Sequence, residues 1–433
     1  MHNITSLYQI YLKHPKICTD TRLISENCIF FALKGENFDG NTFAEKALEM
    51  GAAYAVIDNP DFNKGEKYFL VDDVLSALQE LAKHHRNQLN IPVIGLTGSN
   101  GKTTTKELIN AVLGQKFKTY ATKGNLNNHI GVPLTLLAIS NEVEIAIVEM
   151  GANHQKEIEQ LCEIARPNLG LITNVGMAHL EGFGGFEGVK KGKAELYAYL
   201  KNHNGTAFIN KDNEHLVEMS EKHHLDNKVY YGKEAANYVS GSLKEGHTFL
   251  EIEWTHDNYT YHASTHLTGK YNFENVLAAI CIGTYFKLTP QEINRGLENY
   301  NPVNNRSQVT KTEKNTVICD YYNANPSSMI AALANIKTLD AGKKLIILGD
   351  MFELGSESAA QHKNIIETAL QSNAEQVIFI GNNFYAFRDS YNALFFTSPT
   401  EAADFLNKNH FKDFLVLLKG SRGMALERLF PLL

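Results

Sequence analysis

Val93-Ile94-Gly95-Leu96-Thr97-Gly98-Ser99-Asn100-Gly101-Lys102-Thr103-Thr104-Thr105 decides the fold of this chain. An apolar run of β type feeds a glycine-rich turn, and Lys102 with three threonines opens a helical pattern that continues from Lys106 to Leu113. Gly98 and Gly101 let backbone N–H groups converge on an oxyanion, and a helix N-terminus adds roughly half a positive charge behind them. In such a cradle Lys102 reaches the terminal phosphates of a nucleotide and Thr103 holds Mg2+. The common P-loop pattern asks for glycine at the place of Leu96, whereas here it stands one residue earlier, at Gly95. A tight turn of no chemical consequence is the plain alternative. Gly-Lys-Thr between a strand and a helix argues against it.

Around this loop lie 433 residues, enough for about three domains at the usual ~100–200 residues each. Hydrophobic residues make up 43% and charged residues 21%, an ordinary globular balance. A net charge of −7, from 41 basic and 48 acidic residues, excludes a broad cationic surface for nucleic acid. An anionic ligand must therefore be gripped locally. The stretch from Met1 to Pro15 lacks the apolar core of a signal peptide, and no apolar run approaches membrane-spanning length, so a cytoplasmic protein is expected. Cys18, Cys28, Cys162, Cys281 and Cys319 are scattered without metal-type spacing and are expected to be reduced, buried thiols.

Before the loop, Thr19-Asp20-Thr21-Arg22, Ile29 to Leu33, Asp39-Gly40, a helical run from Thr42 to Met50 and a strand ending at Asp58 predict a small α/β unit. Thr21 and Arg22 serve equally well as a capping and turn set or as ligand contacts. Val74 to Leu89 has a helical pattern whose His84-His85-Arg86 end is expected on a solvated face, and Asn90-Ile91-Pro92 breaks it at a domain boundary.

After the loop, Asn127 and Asn128 lie on a stretch rich in amides. A strand from Glu144 to Val148 delivers Glu149 at its carboxyl end, the edge where open α/β sheets place ligands. A carboxylate there can hold the Mg2+ that bridges ATP phosphates; an acidic helix-cap residue is the alternative. A further strand leads to His179, by itself more often a structural residue than a ligand. From Lys201 the chain is expected to meander through half-exposed strands at Gly205 to Asn210, Val229 to Gly232, Thr248 to Trp254 and Tyr259 to Tyr261, with Trp254 as packing. Asn272 and Asn275 stand one turn apart after Gly269, placed to offer amides to an adenine edge or simply to cap a helix.

Beyond Tyr300-Asn301-Pro302 a linker leads to Arg306 and to a strand ending in Asp320. Strands at Lys344 to Leu348, Gln376 to Ile380 and Phe414 to Leu418 alternate with helical patterns and predict a doubly wound, mainly parallel sheet. Asp320 at a strand end is placed for a ribose hydroxyl, and Arg306 for the γ-phosphate.

Thr97-Gly98-Ser99-Asn100-Gly101-Lys102-Thr103 resembles the ATP-binding loop of the Mur ligases, which build the peptidoglycan stem peptide, and of their folylpolyglutamate synthetase relatives. The order Thr-Asp-Thr-Arg, Phe-Phe-Ala-Leu-x-Gly, Asp-Gly is similar to the UDP-binding domain of the Mur ligases that add the third residue or the terminal dipeptide. Asp320-Tyr321-Tyr322-Asn323-Ala324-Asn325-Pro326, Gly349-Asp350-Met351-Phe352-Glu353-Leu354-Gly355 and Lys419-Gly420-Ser421-Arg422 resemble the dipeptide-adding member. Members adding diaminopimelate or lysine, and the folate enzyme, would carry a histidine motif where this chain has Tyr322-Asn323.

The resemblance spans the chain and implies three α/β domains. Segment 1–90 would bind UDP-MurNAc. Segment 91–303 would be a P-loop ATPase-type domain with an added β-meander, and segment 304–433 a Rossmann-like domain binding D-alanyl-D-alanine. It implies an ATP-dependent ligase, working with ATP and Mg2+, that joins D-alanyl-D-alanine to UDP-MurNAc-tripeptide through an acyl phosphate; a monomer is the default expectation. ATP would then be held by Gly98, Ser99, Asn100, Gly101, Lys102, Thr103, Thr104, Asn272, Asn275, Arg306 and Asp320. Glu149 and Thr103 would hold one magnesium, and His179 with Lys193, carbamylated by CO2, a second. Substrate contacts would come from Thr21, Arg22, Asn127, Asn128, Tyr322, Asn323, Asn325, Lys419, Ser421 and Arg422. A relative adding another amino acid and a non-catalytic nucleotide-binding homologue are the alternatives. Lys102, Glu149, His179 and Lys193 occurring together oppose the latter.

Overall fold

The computed structural model describes residues 4–244 and 247–433. Val93–Thr97, buried along its whole length, lies inside a nine-stranded sheet. Across that sheet run Thr119–Ala121, Ile145–Glu149, Val93–Thr97, Leu169–Ile172, Thr206–Asn210, Asn227–Gly232, Val239–Lys244, Glu251–His256 and Tyr259–Ser264. The pairs are parallel as far as Val239–Lys244, and the last two are antiparallel. Parallel pairing with both faces covered explains the continuous apolar runs of the central strands. It also sets Thr97, Glu149 and Ile172 at one edge.

The expected meander begins later than the sequence suggested. Thr206–Asn210 is buried at four of its five positions and pairs in parallel on both sides, so it belongs to the main sheet. The antiparallel ribbon instead includes Val239–Lys244, which the alternation pattern had not marked. Trp254 packs in that ribbon and donates from Nε1 to Asn294 Oδ1 at 3.0 Å.

Ile17–Cys18, Ile29–Phe31, Tyr54–Ile57 and Tyr68–Leu70 form a parallel four-stranded sheet. Helix Val74–Gln88 joins it to the central sheet, since Leu7, Tyr11 and Leu81 share one apolar cluster with Val132, Leu136 and Ile164. The His84-His85-Arg86 end was expected to face solvent, yet His85 and Arg86 are buried at this junction. Arg86 donates to the carbonyls of Ala165, Leu89 and Arg166 and to Asn168 Oδ1, which satisfies the buried guanidinium without a carboxylate.

The third large sheet runs Gln308–Lys311, Thr316–Asp320, Leu415–Lys419, Lys344–Gly349, Gln376–Ile380 and Leu394–Phe396, parallel except for its first pair. Ile346 and Leu348 pack into a cluster on one face and Leu345 and Ile347 into a cluster on the other, as the two-residue period of a strand with helices on both sides requires. All five cysteines are free and buried.

Candidate active site

Helix Lys102–Leu113 starts from Gly101, whose φ of 77° is left-handed, and a Cβ at Gly101 would stand 2.6 Å from Asn275 Oδ1. A Cβ at Gly98 would run into the Thr173 hydroxyl. Glycine is therefore required at both positions for close approach as well as for backbone freedom. The loop leans on the next strand end: Asn100 N donates to Asn174 Oδ1 at 2.9 Å, and Thr173 Oγ1 and Asn174 Nδ2 donate to Asn100 O at 2.6 and 3.0 Å. Ser99 exchanges hydrogen bonds with the backbone of Gly176. Thr173 and Asn174 carried no motif of their own and went unmarked in the sequence.

Lys102 Nζ donates to Gly98 O at 2.7 Å and Ser99 O at 3.2 Å, folding back over its own loop. Burial lowers its ammonium to about 8, with Glu149 opposing the shift and Arg306 adding to it. Beneath it, Glu149 Oε1 accepts from Thr103 Oγ1 at 3.2 Å and from Asn127 Nδ2 at 2.8 Å. Glu149 Oε2 is buried with no hydrogen-bond partner. An unpaired carboxylate oxygen beside a threonine hydroxyl at a helix N-terminus is the donor set a magnesium ion on ATP phosphates takes. Asn128 acts on its own loop, where Oδ1 accepts from Ile130 N and Gly131 N and opens helix Gly131–Leu137.

Lys193 is only 2% exposed, with Nζ 5.1 Å from the centre of the Phe183 ring and 3.5 Å from Ala152 O. Burial first, and the Lys102 charge second, push its amine well below the usual lysine range. Its neighbours differ: Lys190 pairs with Glu218 at 3.1 Å, and Lys191 is exposed. Glu195 accepts from Lys156 N and Glu159 N at the start of helix Glu157–Ala165. His179, at a left-handed φ of 52°, meets the Glu353 carboxylate through Nδ1. Burial lowers its imidazole and Glu353 opposes the shift in part. Among the described residues no group of three His, Cys, Asp or Glu side chains could by itself hold a metal ion. Ions in this cleft would need hydroxyl, carbamate or phosphate oxygens as well.

The opposite wall comes from the third sheet. Asp320 Oδ2 pairs with Lys419 Nζ at 2.7 Å, and the same ammonium donates to Asn323 O at 3.3 Å. Two guanidinium groups approach the Tyr322 ring, Arg306 at 4.0 Å and Arg422 at 5.3 Å from its centre. Arg306 Nε is buried without a hydrogen-bond partner. Asn325 caps helix Pro326–Thr338 by accepting from Ser328 N at 2.9 Å. Its Nδ2 donates to Asn100 Oδ1 at 2.7 Å, while Asn100 Nδ2 donates to Ser327 Oγ at 2.9 Å. The phosphate loop is thus clasped from across the cleft.

Asn272 lies in the turn Lys270–Asn272 ahead of helix Phe273–Tyr285 rather than on its face. The two amides form a buried chain: Thr105 Oγ1 donates to Asn275 Oδ1, Asn275 Nδ2 to Asn272 Oδ1, and Asn272 Nδ2 to Thr268 O. Each keeps one N–H to offer.

These walls enclose a cleft of about 570 Å3. Ser99, Asn100, Gly101, Lys102, Thr103, Thr104, Asn127, Asn128, Glu149, His179, Asn272, Asn275, Arg306, Asp320, Tyr322, Asn323, Asn325 and Lys419 line it. Gly98 and Lys193 stand behind its lining, and Ser421 is buried where its Oγ accepts from Phe352 N. Arg422 reaches it only through Tyr322. Thr21 and Arg22 lie off the cleft, in a turn where Arg22 grips Asp20 at 2.6 Å and holds that carboxyl down to about 2.

Residues 16–86 match a model of the Mur ligase family, catalytic domain, residues 96–283 the Mur ligase middle domain, and residues 305–422 the Mur ligase, glutamate ligase domain. The chain is 35% identical to UDP-N-acetylmuramoyl-tripeptide–D-alanyl-D-alanine ligase of Bacillus subtilis, over 95% of this chain and 92% of that one. The enzyme of the same name from Escherichia coli K12 is also 35% identical, over 86% and 82%. In structure it is similar to MurF from Acinetobacter baumannii, with a TM-score of 0.87 and 29% identity over 96% and 92% of the chains. The MurF ligase from Thermotoga maritima in complex with ADP gives 0.85 and 26%, with 97% of each chain covered. The chain belongs to the Mur ligase family.

Proposed function

We propose that this chain is an ATP-dependent ligase that joins D-alanyl-D-alanine to UDP-MurNAc-tripeptide, giving UDP-MurNAc-pentapeptide for peptidoglycan synthesis. One observation carries this: a single cleft brings the phosphate loop and Glu149 to face Asp320, Tyr322 and Asn323. End-to-end similarity to ligases named for that reaction supports it. We assign segment 1–90, with Thr21 and Arg22, to UDP-MurNAc; 91–303 to ATP; and 304–433, with Tyr322, Asn323, Asn325, Lys419, Ser421 and Arg422, to the incoming dipeptide.

An oxygen of the tripeptide carboxylate attacks the γ-phosphorus, the bond to the ADP oxygen breaks, and an acyl phosphate forms. The dipeptide amine then attacks the acyl carbon, phosphate leaves from the tetrahedral intermediate, and the nitrogen gives up a proton. Phosphorylation turns a poor leaving group into a good one. Lys102 from one wall and Arg306 from the other balance charge on the transferred group. Asn127 orients Glu149, and Asn272 and Asn275 offer their remaining N–H groups to the adenine.

Thr103 and Glu149 would hold one magnesium ion and His179 with a carbamylated Lys193 a second, such ions neutralising phosphate charge and polarising the P–O bonds. Lys193 suits carbamylation because its burial favours the neutral amine, to which CO2 adds as a proton leaves. A cleft completed within one chain supports a monomer. Among the described residues no helix is long and apolar enough to cross a membrane, and we place the enzyme in the cytoplasm.

The test is purified protein with ATP, D-alanyl-D-alanine and either the diaminopimelate or the lysine tripeptide, followed by phosphate release and product mass. A product heavier than the tripeptide by the dipeptide less water is expected with one of them. Failure to form it with both would overturn the proposal.

A further inference from the structure

Two non-glycine residues with left-handed backbones meet where the third domain touches the His179 segment: His179 at φ 52° and Glu353 at φ 62°, joined through imidazole Nδ1 and the carboxylate. Such a conformation costs free energy and persists where its surroundings impose it. The loop before Glu353 is imposed at three successive residues. Asp350 accepts from Asn383 N at 2.9 Å and Phe384 N at 3.0 Å; Met351 N donates to buried His362 Nε2 at 3.1 Å; Phe352 N donates to buried Ser421 Oγ at 3.2 Å. The chain then turns out through Glu353. At Gly355, φ 54°, an added Cβ would touch Glu181 at 3.4 Å, so the loop sits close against the segment that carries His179. Glu353 is itself 57% exposed in its side chain, so the anchoring below it does not serve to bury a charge.

We propose that Glu353 is a positioning residue for His179: docking of the third domain delivers its carboxylate to Nδ1, fixes the ring with its proton there, and leaves Nε2 as the free acceptor. This rests on the reading of the cleft as the ligase site. A carboxylate on the far nitrogen of a ligating histidine sets both ring orientation and tautomer. A free neutral imidazole has no such constraint.

The test uses full-length protein with 15N-labelled histidine at about pH 8.5, where an ordinary imidazole is neutral. The His179 signal, identified by its loss in His179→Asn, is expected to report Nδ1–H, and to lose that preference in Glu353→Gly. Turnover should fall by about 10–100-fold in Glu353→Gly and Glu353→Ala, and less in Glu353→Gln, whose amide oxygen still accepts. Glycine relieves the left-handed backbone, so the melting temperature of Glu353→Gly should not drop. A tautomer unchanged by Glu353→Gly, wild-type turnover in that variant, or a melting loss that tracks the activity loss would overturn the proposal. Should wild type make no pentapeptide while the tautomer shift is seen, the ligase assignment alone fails.

Discussion

The two walls of the cleft are built on different principles. On the central side, desolvation disfavours the charged form of two lysines: Lys102 is drawn down to about 8 and Lys193 falls well below the lysine range. On the opposite wall charged groups are paired or stacked, Asp320 with Lys419 and two guanidinium groups on Tyr322. Burial keeps the first wall's field strong; Lys102 rests on the carbonyls of its own loop, and Glu149 Oε2 is left without a partner. On the second wall Asp320 and Lys419 satisfy each other while Arg306 Nε has no partner, and the wall contributes only when docked. The central wall should therefore carry most of the chemistry, and the far wall assembly together with the charge of Arg306.

Lys102→Ala tests the first half of that contrast and carries the largest expected effect. Removing one preorganised charge-stabilising group costs about 3 kcal/mol or more of barrier, so turnover should fall by at least ~10^2–10^3-fold with the fold intact. A folded variant with near wild-type phosphate release would remove the central wall's privilege. Lys193→Ala should approach the same loss for another reason, the absence of the anionic oxygen that the proposed carbamate would supply, and a small carboxylate in the buffer should restore part of the turnover. If Lys193 were an inert core residue, activity and stability would fall together and carboxylate would rescue nothing.

The same contrast explains what could be read from the sequence. The central wall lies mostly in short motifs at the carboxyl ends of neighbouring strands, so Gly98 to Thr104 and Glu149 were legible from local pattern alone. Lys193 was selected only by its register against a known family, and nothing local told it from Lys190 or Lys191; burial does. The far wall depends on contacts such as Asn325 with Asn100 and Glu353 with His179, between residues more than 170 positions apart. Their partners could not be paired without the fold. The same holds for His85 and Arg86, whose charged pattern signals solvent although their hydrogen bonds reach carbonyls of another segment. Strand Val239–Lys244 was missed because Gly241 and the serines around it give no alternating pattern.

The clasp on Asn100 sharpens the second half of the comparison at moderate cost. Ser327→Ala removes the acceptor of the Asn100 amide, a hydrogen bond worth about 1 kcal/mol net, and so about fivefold in the docking equilibrium constant. Turnover should drop by at most that factor, and solution scattering should show a larger radius of gyration than wild type. ADP affinity should hardly change. Unaltered dimensions together with weaker ADP binding would mean that Ser327 supports the loop itself rather than the docking.

The smallest effect concerns the scaffold under Glu353. Buried His362 donates from Nδ1 to Ser358 O at 2.8 Å and accepts the Met351 N–H at Nε2, a pattern that only the neutral ring can make. Burial accordingly lowers its folded pKa below the ordinary ~6.5. Between the folded value and ~6.5 the unfolded chain holds a proton that the folded one does not, so stability falls as pH drops through that window and is flat above it. The slope cannot exceed about 1.4 kcal/mol per pH unit for one proton. Asp350, whose carboxyl burial raises, acts in the opposite sense, relieving its cost as acid protonates it. Thermal melts of wild type and His362→Gln between about pH 7.5 and 5.5 should diverge, wild type losing stability faster, with hydrogen exchange rising first over residues 349–355. Parallel melting curves would show that protonating this ring costs the fold nothing, and that the loop presenting Glu353 is held by Asp350 and Ser421 alone.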